Sequence, residues 1–210
     1  MDKKKRKFLS KWSALSDRQE ILHLARAHGF ERDGKVVIEN CSITTQREEV
    51  DLSGHIFKNV SFGHSRFVNC NGEGSVFDSC KFSGSWIAAE KEIKCSWAGA
   101  QFANCEFEST SFGPRTLILE GTSFSRCKLV ECNFRTGNLP KSEFLDCHLD
   151  YTTFRQAILD ESSFEGSTLN KVSFEKTELI NIDFTNAIFI NMDFWGPLDL
   201  SKCKGANKTR

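Results

Sequence analysis

No stretch of this chain reaches the roughly 18 apolar residues that a membrane-crossing helix needs, so no membrane span is expected. The start is basic and runs into a charged segment rather than an apolar one, so no signal peptide is expected either. Asp2 excludes N-myristoylation, which needs glycine there. Nine cysteines are present, but no Cys-x-x-Cys pair. That spacing argues against a metal centre or a disulfide framework. There is no phosphate-binding glycine loop, no Gly-x-Ser-x-Gly elbow and no His-Glu-x-x-His pair. His23 and His28 are five residues apart, so they do not share a helix face as zinc ligands would at a spacing of four. Neither they nor His55, His64 and His148 have a carboxylate or cysteine partner at a recognisable spacing. Neither catalysis nor a cofactor is expected.

What the chain has is a period of five. From Phe124 the series runs Phe124, Leu129, Phe134, Leu139, Phe144, Leu149, Phe154, Leu159, Phe164, Leu169, Phe174, Leu179, Phe184, Phe189 and Phe194. An earlier run in another register holds Leu52, Phe57, Phe62, Phe67, Phe77, Phe82, Trp97, Phe102, Phe107, Phe112 and Leu117. Seventeen of the 19 phenylalanines sit in these two runs. Five is neither the 3.6 of a helix nor the 2 of a flat strand. It describes a chain that turns a corner every five residues, with one large apolar centre per side. Four sides close a coil of about twenty residues, and stacked coils pair as parallel strands about 4.8 Å apart.

The residue two before each centre also points inward, where little room is left. Those positions hold Thr122, Cys127, Cys132, Gly137, Ser142, Cys147, Thr152, Ala157, Ser162 and Ser167, all small. Phe and Leu alternate after Phe124, which puts Phe stacks on two opposite sides and Leu stacks on the other two. Each buried Phe or Leu contributes about 2 kcal/mol as an upper-bound area estimate.

The triplets Cys132-Asn133-Phe134, Gly137-Asn138-Leu139, Ser142-Glu143-Phe144 and Ala187-Ile188-Phe189 resemble the motif of the pentapeptide-repeat family. That motif is a small residue, a polar residue, Leu or Phe, then two variable positions. The resemblance covers about residues 36–199 and implies an all-β solenoid: a right-handed quadrilateral β-helix of about eight coils. The pattern departs from the motif in three places. Gly72 occupies a centre and leaves a gap. Glu92 falls on a centre, so residues 88–94 are expected to leave the coil as a loop. The phase shifts by two between Leu117 and Phe124, near Gly113-Pro114, as a bulge or short loop would require.

Eight cysteines, Cys41, Cys70, Cys80, Cys95, Cys105, Cys127, Cys132 and Cys147, fall two before a centre and read as small hydrophobes. Cys127 and Cys147 should stack on neighbouring coils, with parallel side chains poorly placed for a bridge. Many free thiols and an odd count favour a reducing compartment, so a cytoplasmic location is expected.

The ends differ from the body, which divides the chain into 1–35, 36–199 and 200–210. Lys3, Lys4, Lys5, Arg6 and Lys7 form a basic tail, read as solvated. Ser16-x-x-Gln19 fits a capping box, followed by Ile21, Leu22, Leu24 and Ala25, with Gly29 placed to end a helix. That short helix is expected to cap the open edge of the first coil. Residues 200–210 read as a polar basic tail.

Charge is unevenly placed. Residues 1–40 hold ten Lys/Arg and six Asp/Glu, residues 41–200 fourteen and twenty-two, and the last ten residues four and none. These give +4, −8 and +4. Twenty-residue spacing puts Glu143, Asp146, Glu165 and Asp183 on the side of Phe144, Phe164 and Phe184. Asp160, Glu161 and Glu178 fall on the adjoining side, with Asp199 at its end. An acidic edge is therefore expected along the C-terminal half. Trp97 reads as core, while Trp86 and Trp195 flank centres and offer exposed aromatic contacts.

The leading functional expectation is a non-enzymatic protein-binding module: a scaffold, adaptor or regulatory subunit. It would use a coil side, loop 88–94 or the N-terminal helix. The resemblance adds an alternative, because the family includes proteins that protect DNA gyrase by mimicking DNA. The acidic edge would then bind a DNA-binding protein such as a topoisomerase. The coil body is not expected to bind nucleic acid directly. A secreted bacterial effector is a second alternative.

Overall fold

The computed structural model describes residues 29–32, 35–43, 51–89, 95–114, 116–192 and 200–206. These form an all-β parallel solenoid of about seven turns, one fewer than the sequence count suggested. The expected capping helix, and residues 90–94 of the expected loop, lie outside the described residues, while Ala88 and Ala89 do not leave the coil as expected: Ala88 pairs with Val68 in a strand and both side chains are buried.

Centres five apart in sequence fall on four successive sides, and each side stacks on itself one coil later. On the first side Ile38, Phe57, Phe77, Phe102, Phe124 and Phe144 are in register, and Phe164 and Phe184 continue the column. The second side stacks Phe62, Phe82, Phe107, Leu129, Leu149, Leu169 and Phe189. The third stacks Phe67, Ile87, Phe112, Phe134, Phe154 and Phe174. The fourth stacks Trp97, Leu119, Leu139, Leu159 and Leu179 below the chain's C-terminal end. Phe and Leu therefore occupy alternate sides in the C-terminal half, as the alternation predicts. Rings within a column are nearly parallel, with Phe124–Phe144 at 4.8 Å and 3°. Rings on opposite sides meet edge to face, with Phe134–Phe144 at 5.7 Å and 90°. Both geometries suit the aromatic quadrupole.

The inward small residues do more than fit. Their hydroxyls and thiols donate to the carbonyl of the preceding side's centre one coil below. Ser85 Oγ donates to the Phe62 carbonyl at 2.6 Å, Thr110 Oγ1 to Phe82 at 3.0 Å and Ser142 Oγ to Leu119 at 2.8 Å. Ser162 Oγ does so to Leu139 at 2.8 Å and Ser167 Oγ to Phe144 at 2.6 Å. A buried hydroxyl is thereby satisfied inside a packed core.

The residue two after each centre turns the corner in the left-handed region: Asn104 (φ 55°), Glu131 (54°), Thr136 (57°), Lys141 (56°) and Gly121 (63°) are examples. That conformation costs ordinary residues of order 1 kcal/mol each. Stacking of the coils holds it, because the N–H of each of these five corners is bonded to the next coil, as Lys141 N is to the Asp160 carbonyl at 2.8 Å.

Two further readings are corrected. Gly72 does not leave a gap. The Trp97 indole fills it from the next coil, so closely that a Cβ at 72 would lie 2.5 Å from two indole carbons. Trp97 Nε1 donates to the Cys70 carbonyl at 3.0 Å, which satisfies its only polar atom. The phase shift lies before Leu117, not after it. Leu117 pairs with Cys95, two before a centre, and Leu119 is the centre that stacks between Trp97 and Leu139. The two extra residues enter beside the cis Gly113–Pro114 peptide.

Strand β1 (Gly29–Arg32) pairs antiparallel with β2 (Lys35–Ser42), whose other edge pairs parallel with β3 (Ile56–Gly63). The first coil's edge is thus covered by a strand. At the other end residues 200–206 carry the first side one step further, beyond the boundary drawn at 199. Phe184 N donates to the Lys204 carbonyl at 2.7 Å, Lys204 N donates to the Ile182 carbonyl at 2.8 Å, and Ala206 is buried.

Candidate functional site

Outward positions of this coil are set by the same register as the core. One position per side recurs with each coil, about 4.8 Å apart. On the first side the position before the centre runs Ser123, Glu143, Ser163, Asp183, Lys204. Glu165 follows the centre of the same side, and Asp146 takes the corner beyond it. Asp160 and Glu161 take the equivalent places on the fourth side, where Glu178 precedes the centre. Glu143, Asp146, Glu161, Glu165 and Glu178 are exposed, and Asp160 and Asp183 are half-buried. The structure therefore gathers seven of the eight predicted acids on two adjoining sides. Asp199, the eighth, lies outside the described residues.

The local geometry shapes this edge. Asp146 leans over Gly166, where a Cβ would collide with its Oδ1. Lys141 Nζ stands 3.8 Å from Glu120 Oε1 near the start of the edge. At the far end Lys204 Nζ lies 2.7 Å from Asp183 Oδ2, while Asp183 Oδ1 accepts the Thr185 amide at 2.8 Å. Burial alone would raise the Asp183 carboxyl, but the Lys204 ammonium and Thr185 hold it below its ordinary value. Asp183 in turn raises the Lys204 ammonium, and Glu165 adds to that. Lys204 was not foreseen. It lies in a stretch that reads as tail, and no apolar centre marks its register.

The opposite, third side is basic in the same half. Arg135 is exposed there, Arg155 Nη2 pairs with Glu175 Oε1 at 3.1 Å, and Lys176 Nζ is 3.8 Å from the same oxygen. The C-terminal half is thus polarised across its width.

The aromatic candidates fare differently. Trp86 is half-buried on the third side, with the Arg66 guanidinium 4.6 Å above its ring centroid. Trp195 lies outside the described residues. The exposed large apolar side chains among the described residues are Tyr151 (54%), Ile188 (54%) and Ile190 (39%), all on the second side. The Lys171 ammonium covers the Tyr151 ring at 4.4 Å from its centroid. Sequence periodicity passes over these residues because Ile188 and Ile190 flank a centre and Tyr151 takes a corner, outward positions that the apolar rhythm does not mark. Among the described residues no group of three or more histidine, cysteine or acidic side chains is placed to hold a metal, and no helix is long and apolar enough to cross a membrane.

Two family models match the chain: "Pentapeptide repeat region" over residues 95–171 and "Pentapeptide repeats (8 copies)" over residues 56–87. No curated protein matches it. Among solved structures, full-length QnrB1, a plasmid-mediated fluoroquinolone resistance protein, is 14% identical with a TM-score of 0.55. The match covers 80% of this chain and 92% of that one. A trypsin-treated variant of QnrB1 is 16% identical with a TM-score of 0.54, covering 80% and 88%. HetL, a pentapeptide repeat protein involved in heterocyst differentiation regulation in the cyanobacterium Nostoc, is 13% identical with a TM-score of 0.30, covering 93% and 100%. At such identities the QnrB1 likeness concerns the fold.

Proposed function

This chain belongs to the pentapeptide-repeat family, and from that premise we propose that it is a non-enzymatic protein-binding module whose contact surface is the acidic edge. The observation that carries this reading is the convergence of Glu143, Asp146, Asp160, Glu161, Glu165 and Glu178 on two adjoining flat sides. Their spacing is fixed by the backbone ladder. The right-handed quadrilateral winding implied by the family resemblance would present them as one continuous stripe. A partner with a basic groove is the complement of such a stripe, and long-range attraction would speed its approach.

A DNA-binding protein such as a topoisomerase is the sharper form of this proposal. The fold likeness to a fluoroquinolone resistance protein supports it, as does the regular spacing of negative charge along a rod. The rest of the expected loop, residues 90–94, and the helix expected near the N-terminus are the alternative contact elements of the same module.

The experiment compares the native chain with a variant carrying lysine at those six positions. Capture of partners from lysate is followed by direct binding to purified DNA gyrase at low and high salt. Gyrase binding that fades with salt and disappears in the variant is the result expected. Equal capture of the same partner by both forms would move the contact away from the acidic edge.

A further inference from the structure

Two before the centres of the second side stand Cys80, Cys105, Cys127 and Cys147, on four consecutive coils. All four are buried. They also share one pair of hydrogen bonds. Cys80 Sγ reaches the Phe57 and Asp78 carbonyls at 3.4 and 3.5 Å, and Cys105 Sγ those of Phe77 and Ala103, both at 3.3 Å. Cys127 Sγ reaches Phe102 and Ser125 at 3.2 and 3.5 Å, and Cys147 Sγ reaches Phe124 and Leu145 at 3.3 and 3.4 Å. Equivalent partners mean equivalent rotamers, so the sulfurs repeat at the coil spacing of about 4.8 Å. Cys127 N also approaches Cys147 Sγ at 3.4 Å.

That spacing is wrong for a disulfide, whose sulfurs are about 2.05 Å apart. It is right for an interposed metal. Two metal–thiolate bonds of about 2.3 Å span about 4.6 Å. The side chains point inward, across the coil axis, so a metal on the axis between two sulfurs also meets each at the bent angle that divalent sulfur prefers. Among the described residues no group of three ligands is placed around a metal, which argues against zinc with its four ligands and favours cations content with two.

We propose that this thiol column binds a two-coordinate thiophilic cation, Cu(I) or Hg(II), between neighbouring sulfurs. Two Cys–SH groups release two protons to solvent as two sulfur–metal bonds form, and no oxidation state changes. The Hg(II) adduct is neutral and suits an apolar interior, while the Cu(I) adduct carries one negative charge and is more costly to bury.

The test uses the full chain with Cys41→Ser, Cys203→Ser and Cys95→Ser, which removes the two half-buried thiols and the buried one that neighbours Cys70 on the fourth side. Reduced protein is refolded without oxygen in the presence of one equivalent of Hg(II) or of Cu(I). The sulfur-to-metal charge-transfer absorption and the melting temperature are then measured. A bound metal should produce the band and raise the melting temperature, as any ligand of the native state does. Adding Cys105→Ser and Cys127→Ser leaves no adjacent pair in the column and should abolish both signals. Cys132→Ser should leave both unchanged, because Cys132 stands apart from this column. Serine is expected to be tolerated, since Ser167 already occupies the next rung and donates in the same way. A band that survives the double substitution, or its absence with both metals, overturns the proposal. Should the double variant not fold, alkylation of the metal-loaded parent followed by peptide mapping gives the answer. Protection of a neighbouring pair from this column supports the site, and protection elsewhere or nowhere overturns it.

Discussion

At the residue scale the corners show what stacking can impose. Thr136 holds a φ of 57°, a conformation that a β-branched residue adopts only at a cost. Thr136→Gly removes that cost and should stabilise the protein by about 1 kcal/mol, less the added freedom of glycine in the unfolded chain. Urea unfolding would read the gain as a higher midpoint with unchanged slope. The opposite outcome is expected at Gly72, where Gly72→Leu would restore the repeat motif on paper. Its side chain would meet the Trp97 indole, and overpacking of this kind costs about 1–3 kcal/mol. This pair also marks how far the sequence could be read. The small residue before each centre was legible as a matter of space. Its hydrogen bond was not, because Gly137 and Ala157 fill the same position without donating. Trp97 was legible as core, but its reach into the neighbouring coil was not, since periodicity places a residue on a side without fixing its volume.

The elements at the two ends are held by different means. At the start β1 covers the outer edge of β2, and Gly29 passes so close to Val37 that a Cβ would collide with its carbonyl oxygen. Gly29→Val should lift β1 away and expose an unpaired strand edge. Light scattering during storage at high concentration should then show faster aggregation than the native chain. Nothing in the sequence marks β1. It is too short and irregular for an alternating pattern, and the five-residue rhythm has not yet begun. At the other end the 200–206 segment is pinned by Asp183 and Lys204. The depressed Asp183 carboxyl contributes above its unfolded value of about 4 and is lost as pH falls through its lower folded value. The raised Lys204 ammonium contributes below about 10.4 and is lost as pH rises through its higher folded value. Amide signals of Cys203, Gly205 and Ala206 should therefore hold steady across the neutral range and shift at both extremes. Lys204→Gln should abolish the acid-side transition.

At the scale of the whole molecule, repetition decides where cooperativity is greatest. From Phe124 to Phe189 the first and second sides repeat at twenty residues without interruption, whereas the earlier part carries the insertions near 90 and 114. Hydrogen exchange should be slowest at the amides of Phe144, Leu149 and Phe154, deep inside the regular stack, and faster in the coils that flank the insertions. The fold was legible because one apolar residue per side is enough to define it. The acidic edge was legible too, since twenty-residue spacing converts directly into adjacency. Its termination at Lys204 was not, because the last turn has 21 residues from Asp183 to Lys204 and no large apolar centre. What the edge binds does not follow from the repeat at all: outward positions are free to hold any residue the corners allow.

The column of parallel rings also makes this rod an optical object. Trp97 lies wholly inside it, 5.8 Å from Phe77 and 6.2 Å from Phe102, with its plane within 20° of the first and 12° of the second. Light absorbed by the phenylalanine stack therefore has an acceptor built into its middle. The indole itself, shielded from water, should emit at the blue end of the tryptophan range. Excitation near the phenylalanine band should brighten that emission only while the coils remain stacked, giving an intrinsic signal for whether neighbouring turns are still in register.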